Sequence, residues 1–290
     1  MLINSVILVL QETLEAALLI SVLLSICYQR RLRVNWLPFG LIGGVVFSIV
    51  YATNMETVSA WFDYMGQEII NALLQTCIAV LILVYAWVVF TIREPDIRAL
   101  HDPKQKPANA PLIAALSAAI MVVMAITREG AEVYLYISGF FLGGTHLPSV
   151  LAGSALGFGI GLSIGTLLFF VLSSDHSRWR RRITLLLLAL FAGNMLSQSV
   201  LQLTQADLIA ASAPCWDSSA WLSEQSITGK LMYASLGYEA TPSAQQIGAH
   251  ISGTLLVLGL IALRLSSVQR KARLEIPKDG QPAENTGTAK

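Results

Sequence analysis

Charge is scarce in this chain. Only 13% of its 290 residues are Asp, Glu, Lys or Arg, where a soluble domain carries roughly 25%. Cysteine is scarcer. Cys27, Cys77 and Cys215 are scattered, odd in number and without C-x-x-C spacing, which argues against a disulfide framework and a zinc cluster. Of the four histidines, His101, His146 and His176 fall in polar connections and His250 stands alone in an apolar run. That set lacks the paired Glu-x-x-His motifs of a redox di-metal bundle. The net charge of +1 supplies no basic field for nucleic acid. A basic leader and a small-x-small cleavage site are also missing at the N-terminus, so the sequence predicts a retained first helix.

What remains is apolar: 54% hydrophobic residues and a mean hydropathy of +0.62. A membrane-spanning helix needs about 20 mostly apolar residues. Seven runs qualify, roughly 4–28, 36–54, 68–92, 111–142, 147–174, 183–205 and 247–266. The expected fold is an all-α integral membrane protein with one seven-helix domain over 1–266. A cytoplasmic tail, 267–290, containing Pro277, Gly280 and Pro282, is expected to be disordered.

Basic residues set the direction of such a bundle. Of 19 Lys and Arg, 17 fall in the odd-numbered connections and the C-terminal end. The even connections hold only Lys230, and Arg128 lies inside the fourth run. The N-terminus is therefore expected outside and the C-terminus inside. The outer connections and helix edges hold Glu56, Asp63, Glu68, Asp207, Asp217, Glu224 and Glu239, an excess of one sign that would raise the local concentration of cations. The same excess also follows from solvated loops depleted of basic residues. Trp61, Trp216 and Trp221 fall where membrane-interface anchors belong.

Against this background two acidic motifs stand out. Gln11-Glu12-Thr13-Leu14-Glu15 lies in the first run and Arg128-Glu129-Gly130-Ala131-Glu132 in the fourth. A charge at the centre of a spanning helix costs about 3 kcal/mol even on insertion scales, so acids there mark function. Residues i and i+3 share a helix face, which pairs Glu12 with Glu15 and Glu129 with Glu132. If the two helices touch, four carboxylates converge. Carboxylate oxygens suit hard, highly charged cations. A proton relay along the same acids is the rival reading. Arg128, at i,i+4 from Glu132, is placed to pair with it.

The motifs recur in helices of opposite direction, which predicts two inverted halves of three helices, about 1–92 and 111–205, plus an extra helix at 247–266. Gly40 and Gly44 in the second run parallel Gly153, Gly157, Gly161 and Gly165 in the fifth. Their expected role is close helix packing. Asn71 and Gln75 in the third run parallel Asn194 and Gln198 in the sixth. These amides read as interhelical hydrogen bonders or as the lining of a polar path beside the acids.

Together these residues resemble the high-affinity iron permeases, whose hallmark is Arg-Glu-x-x-Glu in the first and fourth helices. The second copy matches fully. The first carries Gln11 in place of arginine. Gly193-Asn194-Met195-Leu196, Trp216-Asp217-x-Ser219, Gly237-Tyr238 and Pro242-Ser243 extend the resemblance to the sixth helix and the loop before the seventh. The sixth helix departs at Ser197-Gln198-Ser199 and Gln205, where similar proteins carry His and Glu. The resemblance implies iron uptake, commonly as Fe(III), across the plasma membrane or bacterial inner membrane. Glu12, Glu15, Glu129 and Glu132 would be transient metal ligands, supported by Gln11 and Arg128. Iron is implied as substrate, with no permanently bound cofactor and no enzymatic activity. An external protein that oxidises or delivers iron is implied as a partner. The alternatives are a permease for another metal cation, such as manganese or lead, and a non-transporting metal-binding subunit.

The orientation is testable. In a cysteine-free background, a membrane-impermeant thiol reagent applied from outside should label a cysteine at Ser226 and spare one at Asn285. The reverse pattern would overturn both the topology and the inverted repeat.

Overall fold

In a computed structural model the protein is all-helical, and the structure describes residues 1–92, 107–143, 147–174, 178–223 and 226–274. The helices are α1 (Leu2–Gln29), α2 (Leu37–Thr53), α3 (Met55–Ser59), α4 (Gly66–Val89), α5 (Leu112–Gly143), α6 (Leu147–Ser173), α7 (Arg178–Gln205), α8 (Ile227–Leu236) and α9 (Ala244–Leu274). Among the described residues there is no strand, only isolated bridges at Leu32–Ala108 and Pro214–Ser243. Among the described residues six helices, α1, α4, α5, α6, α7 and α9, are long and apolar enough to cross a membrane. The remaining apolar run forms α2, which has 17 residues and so extends about 25 Å. The expected boundaries hold to within a few residues except at α7, which begins at Arg178, and α9. Residues 267–274, expected in the tail, continue α9. Residues 275–290 lie outside the described residues, as do His101, His146, His176, Glu224 and the basic residues Arg93, Arg98, Lys104 and Lys106.

Small residues decide which helices meet. On α2 the buried positions are Gly40, Gly44, Ser48 and Ala52, one per turn on a single face. That face packs along α5. A Cβ at Gly44 would come within 2.6 Å of Ile126 Cβ, and one at Gly130 within 3.0 Å of Ser48 Cβ. α6 repeats the device against α1. Gly153, Gly157, Gly161 and Gly165 are all buried, and Cβ atoms there would come within 2.9 Å of Leu2, Val6, Thr13 and Ala17 respectively. Ser21 Oγ donates to the Gly165 carbonyl across this seam at 2.7 Å. The opposite faces of both helices carry large apolar side chains such as Phe39, Phe47, Phe158 and Phe170, all exposed, as a lipid-facing surface requires. Close backbone approach supplies the dispersion contacts that drive helix association where lipid is as apolar as leucine.

α1 and α5 cross in the centre, α4 packs between α5 and α7, and α9 packs on α7 and α4. The α7–α9 seam is again tight, since a Cβ at Gly253 would sit 3.0 Å from the Gly193 Cα. The connection before α9 is folded. Cys215 N donates to the Pro242 carbonyl and Ser218 N to that of Ala240, both at 2.9 Å, and the Tyr238 hydroxyl donates to the Leu222 carbonyl at 2.8 Å. Ser243 and Gln246 cap α9 reciprocally, and Gln246 Nε2 reaches Glu239 at 2.6 Å. The Trp216-Asp217-x-Ser219, Gly237-Tyr238 and Pro242-Ser243 segments thus build this connection.

The helix seam gives a stability prediction. Gly157→Ala would bring a Cβ to 2.5 Å from the Val6 carbonyl and 2.9 Å from the Leu10 nitrogen, whereas Gly159 has nothing within 4 Å. Gly157→Ala should cost about 1–3 kcal/mol through overpacking, seen as a lower unfolding temperature in detergent. Gly159→Ala should not lower it. Equal behaviour of the two variants would contradict the α1–α6 seam.

Candidate metal centre

The acidic motifs lie near the middle of their helices. α1 carries Glu12 and Glu15 about halfway along its 28 residues, and α5 carries Arg128, Glu129 and Glu132 about halfway along its 32. Because α1 and α5 cross at this level, the two motifs meet. One carboxylate oxygen each from Glu12, Glu129 and Glu132 lie within 4.8 Å of one another. Glu12 and Glu129 are buried and Glu132 is partly open. Glu129 Oε2 is buried and makes no hydrogen bond among the described residues. Three convergent carboxylates of this kind could hold a metal ion.

Glu15 does not join the three. It is 5% exposed and faces Arg128, whose Nη1 lies 3.4 Å from Glu15 Oε2. The same Nη1 donates to Glu129 Oε1, while Nη2 lies 3.9 Å from Glu132 Oε1. The i,i+4 pairing of Arg128 with Glu132 expected from the sequence is present, and the structure adds two partners that spacing did not indicate. Arg128 makes its closest contacts with Glu129 and with Glu15 of the opposite helix, and one guanidinium serves acids from both motifs. Half-buried Gln11 takes no part in these ion pairs.

The amides divide. Gln75 Nε2 donates to Gln198 Oε1 at 2.7 Å, Gln198 Nε2 to Asn194 Oδ1 at 3.3 Å, and Asn194 Nδ2 to the Tyr233 carbonyl at 3.4 Å. Gln198 also lies beside Glu15, so this network abuts the acids. Asn71 is turned elsewhere and accepts from the Tyr51 hydroxyl at 3.3 Å. A cavity of about 280 Å³ between α1, α2, α5 and α6 reaches Glu12 and Glu129. Its remaining wall is mostly apolar, with Leu41, Val45, Ile126 and Phe158. The acids therefore have a low-dielectric flank, where charge interactions strengthen.

One element of the site was not foreseen. α8 lies in the connection between α7 and α9 and packs on α1 and α7. Ser226 caps its start by accepting from Gly229 N at 2.9 Å. Gly237 ends it with φ +68, a left-handed conformation that suits glycine. A Cβ at Gly237 would also approach His250 and Asn194 within 2.9 Å. α8 brings Lys230 towards Glu12 and Tyr233 towards Glu15, Arg128 and Glu129. Burial pushes the Lys230 ammonium below its ordinary value, opposed by Glu12, and pushes the Tyr233 hydroxyl well above its own. The signal was present in the serine-to-glycine punctuation of 226–237, but ten residues inside a long connection carry no spanning pattern.

The model of the Iron permease FTR1 family matches residues 2–271. No match was found among curated proteins or among solved structures.

The amide network generates its own test. Gln198→Leu removes the partner of buried Gln75 and should cost about 1–3 kcal/mol for the unpaired amide. The Gln75→Leu, Gln198→Leu double variant should lose less than the sum of the singles. Strict additivity in unfolding temperature would show that the two amides do not interact.

Proposed function

The chain belongs to the Iron permease FTR1 family, and from that membership we propose that it carries Fe(III) inward across the plasma membrane along the glutamates of α1 and α5. The family is one of transporters, not of enzymes, and the protein is a multi-pass membrane permease. The observation that carries the ferric reading is the meeting of Glu12, Glu129 and Glu132 oxygens within 4.8 Å. Hard carboxylate donors favour hard, highly charged ions. With all four acids ionised and Arg128 in contact, the cluster holds three negative charges. A trivalent cation neutralises it; a divalent one leaves a charge in low dielectric.

On α1 Glu15 lies one turn inward of Glu12, and Gln198, Gln75 and Asn194 continue a polar route beside Glu15. We place the N-terminus outside on the distribution of basic residues, with α2 as a seventh, short crossing. Packing of α2 on α5 and α6 on α1 supports the inverted repeat, because each half lends its second helix to the first helix of the other. An external protein that oxidises or delivers iron completes the proposal, since this chain offers no oxidase motif of its own.

Uptake of radioactive iron into proteoliposomes tests the reading. Fe(III) should enter in preference to Fe(II) and manganese. Glu12→Gln, Glu129→Gln and Glu132→Gln should each reduce uptake at least about ten-fold, with double variants adding little because the acids act as one unit. Normal uptake by correctly inserted Glu12→Gln or Glu129→Gln protein would sink it.

A further inference from the structure

The position of Arg128 has a consequence for how the carrier works. Its side chain is buried, with relative exposure of 10%, and its guanidinium contacts Glu15, Glu129 and Glu132 together. Two of those acids, Glu129 and Glu132, also belong to the group of three that could hold a metal ion. The same carboxylates therefore face two cations, one tethered and one transported. Both cannot be held at full strength. Coordination draws the oxygens of Glu129 and Glu132 towards the ion, and a guanidinium beside a trivalent ion is repelled. Glu15 offers the guanidinium an alternative: it lies outside the group of three and already stands 3.4 Å from Nη1. Buried Arg128 Nε, without a hydrogen-bond partner among the described residues, shows that the present pose does not use the whole guanidinium.

Resting on the ferric reading above, we infer that Arg128 is a built-in counter-cation which holds Glu129 and Glu132 when no iron is bound and withdraws to Glu15 when iron arrives. The chemistry explains why a carrier needs it. Acids in a bilayer interior are costly when charged and unpaired. A loaded carrier has iron to offset them. An unloaded carrier must rearrange back without iron, and Arg128 provides the offset for that half of the cycle. In this chain one arginine has the task alone, because position 11 is glutamine. Its reach to Glu15 on α1 makes a single guanidinium serve both motifs.

Two measurements on Arg128→Gln and Arg128→Lys test this. The first is iron binding to detergent-purified protein by equilibrium dialysis. Removing the competing cation should tighten Fe(III) binding by about ten-fold in Arg128→Gln, as expected when a competing occupied state is removed. Arg128→Lys, which keeps the charge, should stay near the native value. The second compares transport modes in proteoliposomes. Net uptake into iron-free vesicles requires the unloaded carrier to return, whereas exchange of radioactive for unlabelled iron does not. Arg128→Gln should lose net uptake at least about ten-fold more than it loses exchange. Arg128→Lys should restore part of the net uptake.

Equal loss of both modes, unchanged net uptake, or unchanged or weaker binding in Arg128→Gln would each overturn the inference. Native protein that moves iron in neither mode would sink the transport reading instead, and the binding comparison would still decide whether guanidinium and iron compete. If Arg128→Gln does not fold, Arg128→Lys carries the test. A lysine forms fewer and less directional contacts with the acids than the planar guanidinium, so its net uptake should fall by a larger factor than its exchange. Equal reduction of both modes in Arg128→Lys would overturn the inference.

Discussion

Everything in this bundle is arranged around the cost of placing carboxylates where water is scarce. Glu12, Glu15 and Glu129 are buried at mid-helix, and the one cation in contact with any of them among the described residues is Arg128. Breaking a buried charge pair is more expensive than leaving it unmade, because the surviving partner stays desolvated. The guanidinium suits this task better than an ammonium would, since its planar fork can address several carboxylates at once.

The helices that carry the acids are held by packing that leaves no room for error. α1 and α5 each receive a partner helix with small residues every fourth position, and the backbones approach until a single methyl group would collide. Such seams work by dispersion and shape, so they position charged side chains without adding polar groups. The amide network of Gln75, Gln198 and Asn194 adds directional bonds on the far side of Glu15. α8 closes the flank nearest Glu12. The acids are thus gripped by apolar seams on one side and by hydrogen bonds on the other.

Much of this was legible in the residues. Long apolar runs announce helices because a bilayer tolerates no unpaired backbone, and the run lengths matched the helices closely. The exceptions were α7, which begins some five residues early, and the end of α9, where charged residues continue a helix that composition alone assigns to a tail. The motif spacing pointed to four convergent acids, whereas Glu12, Glu129 and Glu132 come together and Glu15 faces Arg128. The i,i+4 rule found the Arg128–Glu132 pair, but it sees only one helix and so could not indicate the closer contact with Glu15 on another. Asn71 was grouped with the other amides by its spacing from Gln75, yet it turns to Tyr51.

The sequence by itself determined the class of structure, the helices that bear the acids and the kinship with iron permeases. The first two follow from composition and local periodicity, which each segment expresses alone; the kinship rests on the resemblance of the motifs and on the family model that matches residues 2–271. Only the tertiary structure decided that three acids converge while the fourth stands aside, that one arginine bridges both motifs, and that α8 reaches the site. Those outcomes depend on the crossing of α1 and α5, set by glycines on α2 and α6 far away in the chain. No local pattern can specify the distance between carboxylates on two helices, because that distance is fixed by the close packing of others.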